Sequence, residues 1–150
     1  LPDVAAAQKL PFVIRATGET ATDREIAGDF DELALQAMGR RAGYYEQFTQ
    51  CDLPDREIDA LLKDRVDGFE KGLRRIFPEY ATYPQPARQA LLDMAFNLGI
   101  GGLERKFPKM NRAAKEQKWA ACAAECDRKG ISDDRNAYTR ELFKAAETLA

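Results

Sequence analysis

The sequence predicts a mainly α-helical protein of class α+β, with at most a small β element. Apolar residues recur at helical spacing along most of its 150 residues, most regularly over residues 55–77. Prolines and glycines interrupt these segments at intervals that suit short and medium helices. One short aromatic-rich segment, residues 44–49, is the best strand candidate.

The N-terminal third contains two predicted helical segments before that strand candidate. Pro11 is well placed to open a helical turn over residues 12–17, which Gly18 ends. Thr22 and Glu25 form a capping-box pattern at the start of an amphipathic segment. The residues predicted to form the inward side of that segment are Ile26, Phe30, Leu33 and Ala37.

The rest of the chain predicts a group of helices around one central helix. Residues 55–77 form a long amphipathic helix that Pro78 terminates. A second helix, residues 86–98, is apolar on nearly every side and ends before Gly99. Because a helix of that kind is normally buried, we expect Phe96 to lie in the core.

Shorter helices follow, and one more helix ends the chain. Trp119 shares a helix side with Cys122, which predicts a core position for both. Ser132 is the expected cap of the last helix. Its predicted inward residues are Ala137, Leu142 and Ala145.

Composition indicates one globular domain spanning residues 1–150. Hydrophobic residues make up 45% and charged residues 32%, and the net charge is only −2. The sequence therefore shows no basic field for nucleic acid, and no apolar run approaches the roughly 20 residues of a membrane span. Residues 1–52 hold 5 Lys and Arg against 9 Asp and Glu, whereas residues 53–150 hold 18 against 16. We expect a small acidic lobe followed by a helical lobe, cut from a longer protein, since residue 1 is Leu rather than Met.

Cysteine and histidine usage narrows the chemistry. The chain has three cysteines and no histidine, so the sequence predicts neither a metal site nor a cofactor. Acid–base chemistry must then come from Asp, Glu, Lys or Tyr. The cysteines are expected to be small buried thiols, with a bridge from Cys51 to Cys122 or Cys126 left open for an oxidising compartment.

Two polar residues are candidate site residues because each sits where a predicted helix ends. Glu19 follows Gly18, and Asn97 is carried by the otherwise apolar helix that ends at Gly99. A carboxylate and an amide on facing helix ends suit an uncharged, hydroxyl-rich substrate. The alternatives are an exposed loop residue for Glu19 and a helix cap for Asn97.

The segment Pro86-Ala87-Arg88-Gln89-Ala90-Leu91-Leu92-Asp93-Met94-Ala95-Phe96-Asn97-Leu98-Gly99, followed by Phe107 and Lys118-Trp119-Ala120-Ala121, resembles the C-terminal lobe of phage-type lysozymes. The resemblance covers about residues 53–148. The N-terminal third departs from the family pattern, because the amphipathic segment 22–38 stands where the family has a β-hairpin. In this it is similar to the divergent lysozyme-like domains of secreted antibacterial effectors, including type VI effectors.

The resemblance implies a muramidase that cleaves the β-1,4 bond between N-acetylmuramic acid and N-acetylglucosamine. It places Glu19 as the general acid, which must hold its proton near neutral pH. An apolar pocket favours this, and Phe12, Ile14 and Phe30 are the expected walls. The residues expected to contact the substrate are Asn97, Tyr44, Tyr45 and Thr49.

The second catalytic group stays open. Asp29 and Asp31 are most simply part of a solvated helix face. Thr49 or Tyr45 could instead position the attacking water, or a single glutamate could act through a lytic route.

Alternative functions are a lytic transglycosylase, a chitinase-like enzyme, or a catalytically dead module that binds cell wall or a partner protein. The expected partners are peptidoglycan strands and a cognate immunity protein, with no nucleic acid and no membrane. We expect a monomer that acts after secretion or delivery to the bacterial periplasm.

Overall fold

A computed structural model describes residues 3–149. The protein is 68% helical, and the described part of the chain has one sheet of two short strands. The predicted mainly α fold class is therefore confirmed.

The chain divides into two compact units, and the boundary between Lys63 and Asp64 falls inside a long helix. The first unit contains α1 (Val4–Ala7), β1 (Val13–Ile14), α2 (Asp23–Ala34), α3 (Ala42–Tyr45), a 3-10 turn (Glu46–Phe48), β2 (Cys51–Asp52) and the start of α4 (Asp55–Ile76). The second contains the rest of α4, a 3-10 turn (Tyr80–Thr82), α5 (Gln85–Leu98), α6 (Ile100–Lys106), α7 (Pro108–Lys115), α8 (Trp119–Glu125) and α9 (Asp133–Thr148).

The small sheet stands where a helical turn was predicted for residues 12–17. β1 pairs antiparallel with β2, Val13 lying opposite Asp52, and Val13 also forms a bridge with Thr20. The β-branched residues of β1 favour extended backbone, and Gly18 takes a φ of 74° that closes the turn after them. The helix prediction was wrong here because pairing with a distant strand outweighs the local signals.

The strand predicted for residues 44–49 is also wrong, since these residues form α3 and the following 3-10 turn. A short aromatic run carries no period that separates a helix from a strand. The hydroxyl of Tyr45 donates to the carbonyl oxygen of Ala37 at 2.9 Å and accepts from the N–H of Arg40 at 3.2 Å. These bonds hold the loop before α3 against that helix. The strand that pairs with β1 is β2 instead.

Helix α2 begins as the sequence predicts. The N–H of Glu25 donates to Thr22 Oγ1, and the N–H of Thr22 donates to the carboxylate of Glu25, so the capping box is confirmed. The helix ends at Ala34, before the predicted inward residue Ala37. Its buried residue is Ile26, which shares the core of the first unit with Ala7, Ala21 and Cys51.

Helix α4 ends at Ile76, two residues before Pro78, in agreement with the predicted stop. Leu73 and Ile76 are buried in the core of the second unit. Three apolar residues in the first half of the helix are largely exposed, at 49%, 39% and 54% for Ile58, Leu61 and Leu62. The helical spacing was thus predicted correctly, whereas these residues are not core.

Helix α5 is central to the second unit, as predicted. The residues it buries almost completely are Ala87, Ala90, Leu91, Met94 and Ala95. Phe96 does not join them: it is 39% exposed and packs on Phe69 with ring centroids 4.7 Å apart. At about 100° per residue Phe96 lies on the side of the helix opposite Met94, so the expectation of a core position was wrong.

We expect Phe96→Ala to lower the free energy of unfolding by less than about 2 kcal/mol, because much of the ring is already in water. Leu91→Ala, on the buried side of the same helix, should cost about 2–5 kcal/mol. Urea unfolding of both variants gives the comparison. Equal losses would show that Phe96 carries as much packing energy as a core residue.

Trp119 and the cysteines pack inside, as the sequence predicts. Trp119 is fully buried, with its ring 4.9 Å from Tyr83 and stacked on Phe143 at 6.4 Å. All three cysteines are free and buried, so the bridge from Cys51 is not formed. Burial raises the pKa of the Cys122 thiol to about 12, which suppresses the reactive thiolate.

The inward side of α9 differs from the prediction. Its buried residues are Asn136, Thr139, Phe143 and Ala146, whereas Ala137 and Leu142 are half-buried and Ala145 is exposed. Relative to the prediction, the helix is therefore rotated by about one residue, and this rotation buries two polar side chains. They satisfy a buried arginine, which is described below.

Candidate active site

Glu19 lies in the hairpin that follows β1, not at the end of a helix. Its carbonyl oxygen accepts the N–H of Ile14 at 2.8 Å, and its own N–H donates to Thr17 Oγ1 at 3.2 Å. The carboxylate accepts from the Thr17 hydroxyl at 3.5 Å. The side chain is exposed, so the expected walls of Phe12, Ile14 and Phe30 do not bury it.

Arg15 ties the hairpin to β2 and to the turn before it. Its guanidinium donates to the carboxylate of Asp52, with the shortest contact 2.7 Å, and to the carbonyl oxygen of Thr49 at 2.9 Å. It also donates to Thr49 Oγ1 at 3.1 Å. The hydrogen bond from Arg15 lowers the pKa of Asp52, which therefore stays ionised in the sheet.

Asp29 is not the solvated helix residue that the sequence suggests. Its carboxylate accepts the backbone N–H groups of Gln50 and Cys51, the latter at 2.8 Å. Burial raises the pKa of the Cys51 thiol to about 11, and the Asp29 carboxylate beside it adds to the increase. Asp29 thus fastens β2 to α2, while Asp31 is exposed.

The first unit has an open, mainly apolar pocket of about 260 Å³, and Asp29 is the charged residue among its described lining. The pocket is lined by Ala7, Phe12, Ile26, Asp29, Phe30, Leu33, Thr49 and Cys51. Glu19 is not part of this lining, so two of the three residues expected around it, Phe12 and Phe30, border a different space.

The two predicted sugar-contacting tyrosines have different surroundings. Tyr45 is half-buried, and its hydroxyl is used within the loop before α3. Tyr44 is 36% exposed, with ring contacts to Tyr45 and Phe48 and the Arg40 guanidinium 5.8 Å from its centroid. Tyr44 therefore presents an accessible aromatic ring that its neighbours hold in place.

Asn97 is exposed in the last turn of α5. The C-cap is Gly99, whose φ is 68° and whose N–H donates to the carbonyl oxygen of Ala95 at 2.8 Å. Within residues 3–149 the Asn97 amide has no hydrogen-bond partner. The helix end thus does not depend on this side chain, and its amide is available to a ligand.

One turn before Asn97, Asp93 joins two arginines. Asp93 Oδ2 accepts from Arg128 at 2.8 Å and from Thr139 Oγ1 at 3.0 Å, and Oδ1 accepts from Arg135 at 2.9 Å. Burial would raise the pKa of Asp93, but these hydrogen bonds outweigh it and lower the pKa.

Asn136 accepts the backbone N–H of Arg128 at 3.1 Å and donates to its carbonyl oxygen at 2.9 Å.

A family model for phage lysozyme matches residues 39–136, more than half of the chain. The chain belongs to the phage lysozyme family. A phage lysozyme domain is a glycosidase-type enzyme that acts on peptidoglycan, outside the cytoplasm. No curated protein and no solved structure matches the chain significantly.

The matched part of the lysozyme domain includes Tyr44, Asn97 and the Asp93–Arg128–Arg135 cluster, whereas Glu19 precedes it and Thr139 follows it. The resemblance inferred from the sequence is confirmed at the level of the family. Among residues 3–149, no helix combines the length and the apolarity that crossing a membrane requires.

Two polar networks of this lysozyme domain were not predicted. Arg15 and Asp52 are 37 positions apart, and Asp93 and Arg128 are 35 positions apart. Neither pair shares a helix face, so no periodicity connects its members. The one available signal was the stripe of Gln89, Asp93 and Asn97, polar residues spaced four apart on a mainly apolar helix.

Proposed function

We propose that this protein is a muramidase that hydrolyses the β-1,4 bond between N-acetylmuramic acid and N-acetylglucosamine. The observation that carries the proposal is the family match over residues 39–136, together with the mainly helical fold. The reaction requires an acid that protonates the leaving glycosidic oxygen and a water that attacks the sugar carbon.

We assign the acid to Glu19. Its backbone is held in the hairpin, and its carboxylate is exposed and has no ion pair within the described chain. Three other carboxylates of the first unit are engaged in the fold: Asp29 binds two backbone N–H groups, Asp52 pairs with Arg15, and Glu25 closes the capping box. The Glu19 carboxylate, which accepts only from the Thr17 hydroxyl within residues 3–149, can thus meet a substrate oxygen.

We assign sugar binding to Asn97, Tyr44, Tyr45 and Thr49. The Tyr44 ring is accessible and suits stacking on a pyranose, and Tyr45 packs edge-on against it at 5.2 Å. Arg15 orients the Thr49 hydroxyl. The Asn97 amide can donate to and accept from the hydroxyl or acetamido groups of the glycan.

Asn97→Ala should reduce turnover or glycan binding while changing the free energy of unfolding by less than about 1 kcal/mol, because the side chain is exposed and does not cap its helix. Thermal unfolding and sacculus hydrolysis per folded molecule test this. A variant that melts early but cuts normally would contradict a role in binding.

The function itself is tested with purified sacculi, using a turbidity or zymogram assay and mass spectrometry of the products. Reducing ends support hydrolysis, whereas 1,6-anhydro ends would assign a lytic transglycosylase. Retained binding without cleavage would assign a catalytically dead module. Equal cleavage of chitin would assign a chitinase-like enzyme.

The proposed setting is the bacterial periplasm, where the enzyme would act as an antibacterial effector restrained by an immunity protein. We propose that the enzyme is a monomer, for which light scattering of the purified chain gives a direct test. Toxicity to cells when the chain is exported, but not when it is retained in the cytoplasm, would support the periplasmic setting.

A further inference from the structure

The Asp93 network contains two cations and one anion. The Arg128 side chain is 1% exposed, Asp93 19% and Arg135 46%. A buried guanidinium is tolerated only when a partner compensates its charge, so most of the Asp93 charge is committed to Arg128. The net charge of the cluster is therefore about +1, and this charge lies on the half-exposed Arg135.

Asp93 holds the Arg135 guanidinium in place. Asp93 Oδ1 accepts from Nε at 3.3 Å and from Nη2 at 2.9 Å. Within residues 3–149, Nη1 has no hydrogen-bond partner. The neighbouring acids Asp133 and Asp134, in the first turn of α9, form no ion pair with Arg135 within these residues. Asp93 thus fixes the orientation of the Arg135 guanidinium, while the positive charge of the cluster is not neutralised.

The uncharged Asn97 amide follows the anchor of this cation, Asp93, by one turn of α5. Asp93 and Asn97 are four residues apart on α5, so their side chains are neighbours on one helix face. A guanidinium beside an amide suits a carboxylate that is attached to an acetamido sugar. Peptidoglycan carries carboxylates on its stem peptides, and on the lactyl group of any muramic acid that lacks a peptide, whereas chitin has none.

We propose that Arg135, positioned by Asp93, binds a carboxylate of the peptidoglycan strand and so distinguishes peptidoglycan from uncharged glycans. The inference rests on the proposed function, because it names the substrate group that this enzyme recognises. The lactyl and the stem-peptide carboxylates share the chemistry, and the experiment separates them.

The test is calorimetric titration of the whole chain with four oligosaccharides of alternating N-acetylglucosamine and N-acetylmuramic acid. Two lack the peptide and carry the lactyl group as a free carboxylate or as its methyl amide. Two bear stem peptides whose carboxylates are free or amidated. Wild-type protein should bind one carboxylate form about tenfold more tightly than its amide, and the pair that shows the preference identifies the carboxylate.

Arg135→Gln should remove this preference and leave binding of the amide forms unchanged. Arg140→Gln is the matched control, because Arg140 is on the same helix and pairs with Asp127 at 2.8 Å. Equal wild-type affinity for each carboxylate and its amide would overturn the inference, as would an equal loss on both in Arg135→Gln. Cleavage of sacculi without a carboxylate preference would refute this inference alone, whereas a preference without cleavage would refute only the proposed catalysis.

Discussion

Glu19→Gln is expected to reduce sacculus cleavage by about 10²- to 10⁴-fold, the usual contribution of general acid catalysis. Glutamine keeps the size of the side chain but has no proton to give to the leaving oxygen. The fold should be unaffected, because Glu19 is exposed and its structural hydrogen bonds are made by the backbone. Release of soluble fragments, normalised to folded protein by circular dichroism, is the measurement.

Glu32→Gln is a suitable control for this variant. Glu32 is an exposed carboxylate of the same unit, so the substitution removes the same charge without touching the hairpin. Activity of Glu19→Gln within a few-fold of wild type would remove Glu19 from the mechanism. Attention would then pass to Asp31, which is exposed, rather than to Asp29, which binds the backbone of β2.

Asp93→Asn is expected to lower the free energy of unfolding at pH 7 by about 3–5 kcal/mol, because it leaves the Arg128 guanidinium buried without a counter-charge. Asp127→Asn removes the same charge from a surface pair in which the Arg140 side chain is 37% exposed and that of Asp127 58%. This substitution should lower the free energy of unfolding by less than about 1 kcal/mol. Denaturant unfolding of the two variants compares a buried ion pair with an exposed one.

The loss in Asp93→Asn should depend on pH. Since the pKa of Asp93 is lower in the folded protein than in the unfolded chain, its ionised form stabilises the fold fully above the unfolded value of about 4. That contribution disappears as the pH falls through the folded pKa. The wild-type protein should therefore approach the variant in stability below about pH 4. A constant difference down to pH 2 would contradict this assignment.

Local signals predicted the elements that depend on neighbouring residues. Thr22 and Glu25 lie one helical turn apart, so their reciprocal hydrogen bonds form wherever that helix starts. Pro78 cannot continue the hydrogen bonding of α4, and Gly99 readily adopts the positive φ at the end of α5. The motif that resembles phage-type lysozymes lies in the second unit, where consecutive segments of the sequence form consecutive helices.

Contacts between distant residues decided the rest. β1 is a strand because β2 supplies its partners, and Asp29 became a structural residue because β2 returns beside α2. Phe96 was misplaced because a helix that is apolar on most sides does not indicate which side its neighbours cover.

The sequence by itself determined the helical class, the family and the residue types available for acid–base chemistry. Only the tertiary structure decided that Glu19 lies in a hairpin and that α9 turns Asn136 and Thr139 inward. The reason for the second is the buried Arg128, whose charge and N–H groups require polar partners from α5 and α9. Such a requirement arises when separate segments pack together, and no single segment encodes it.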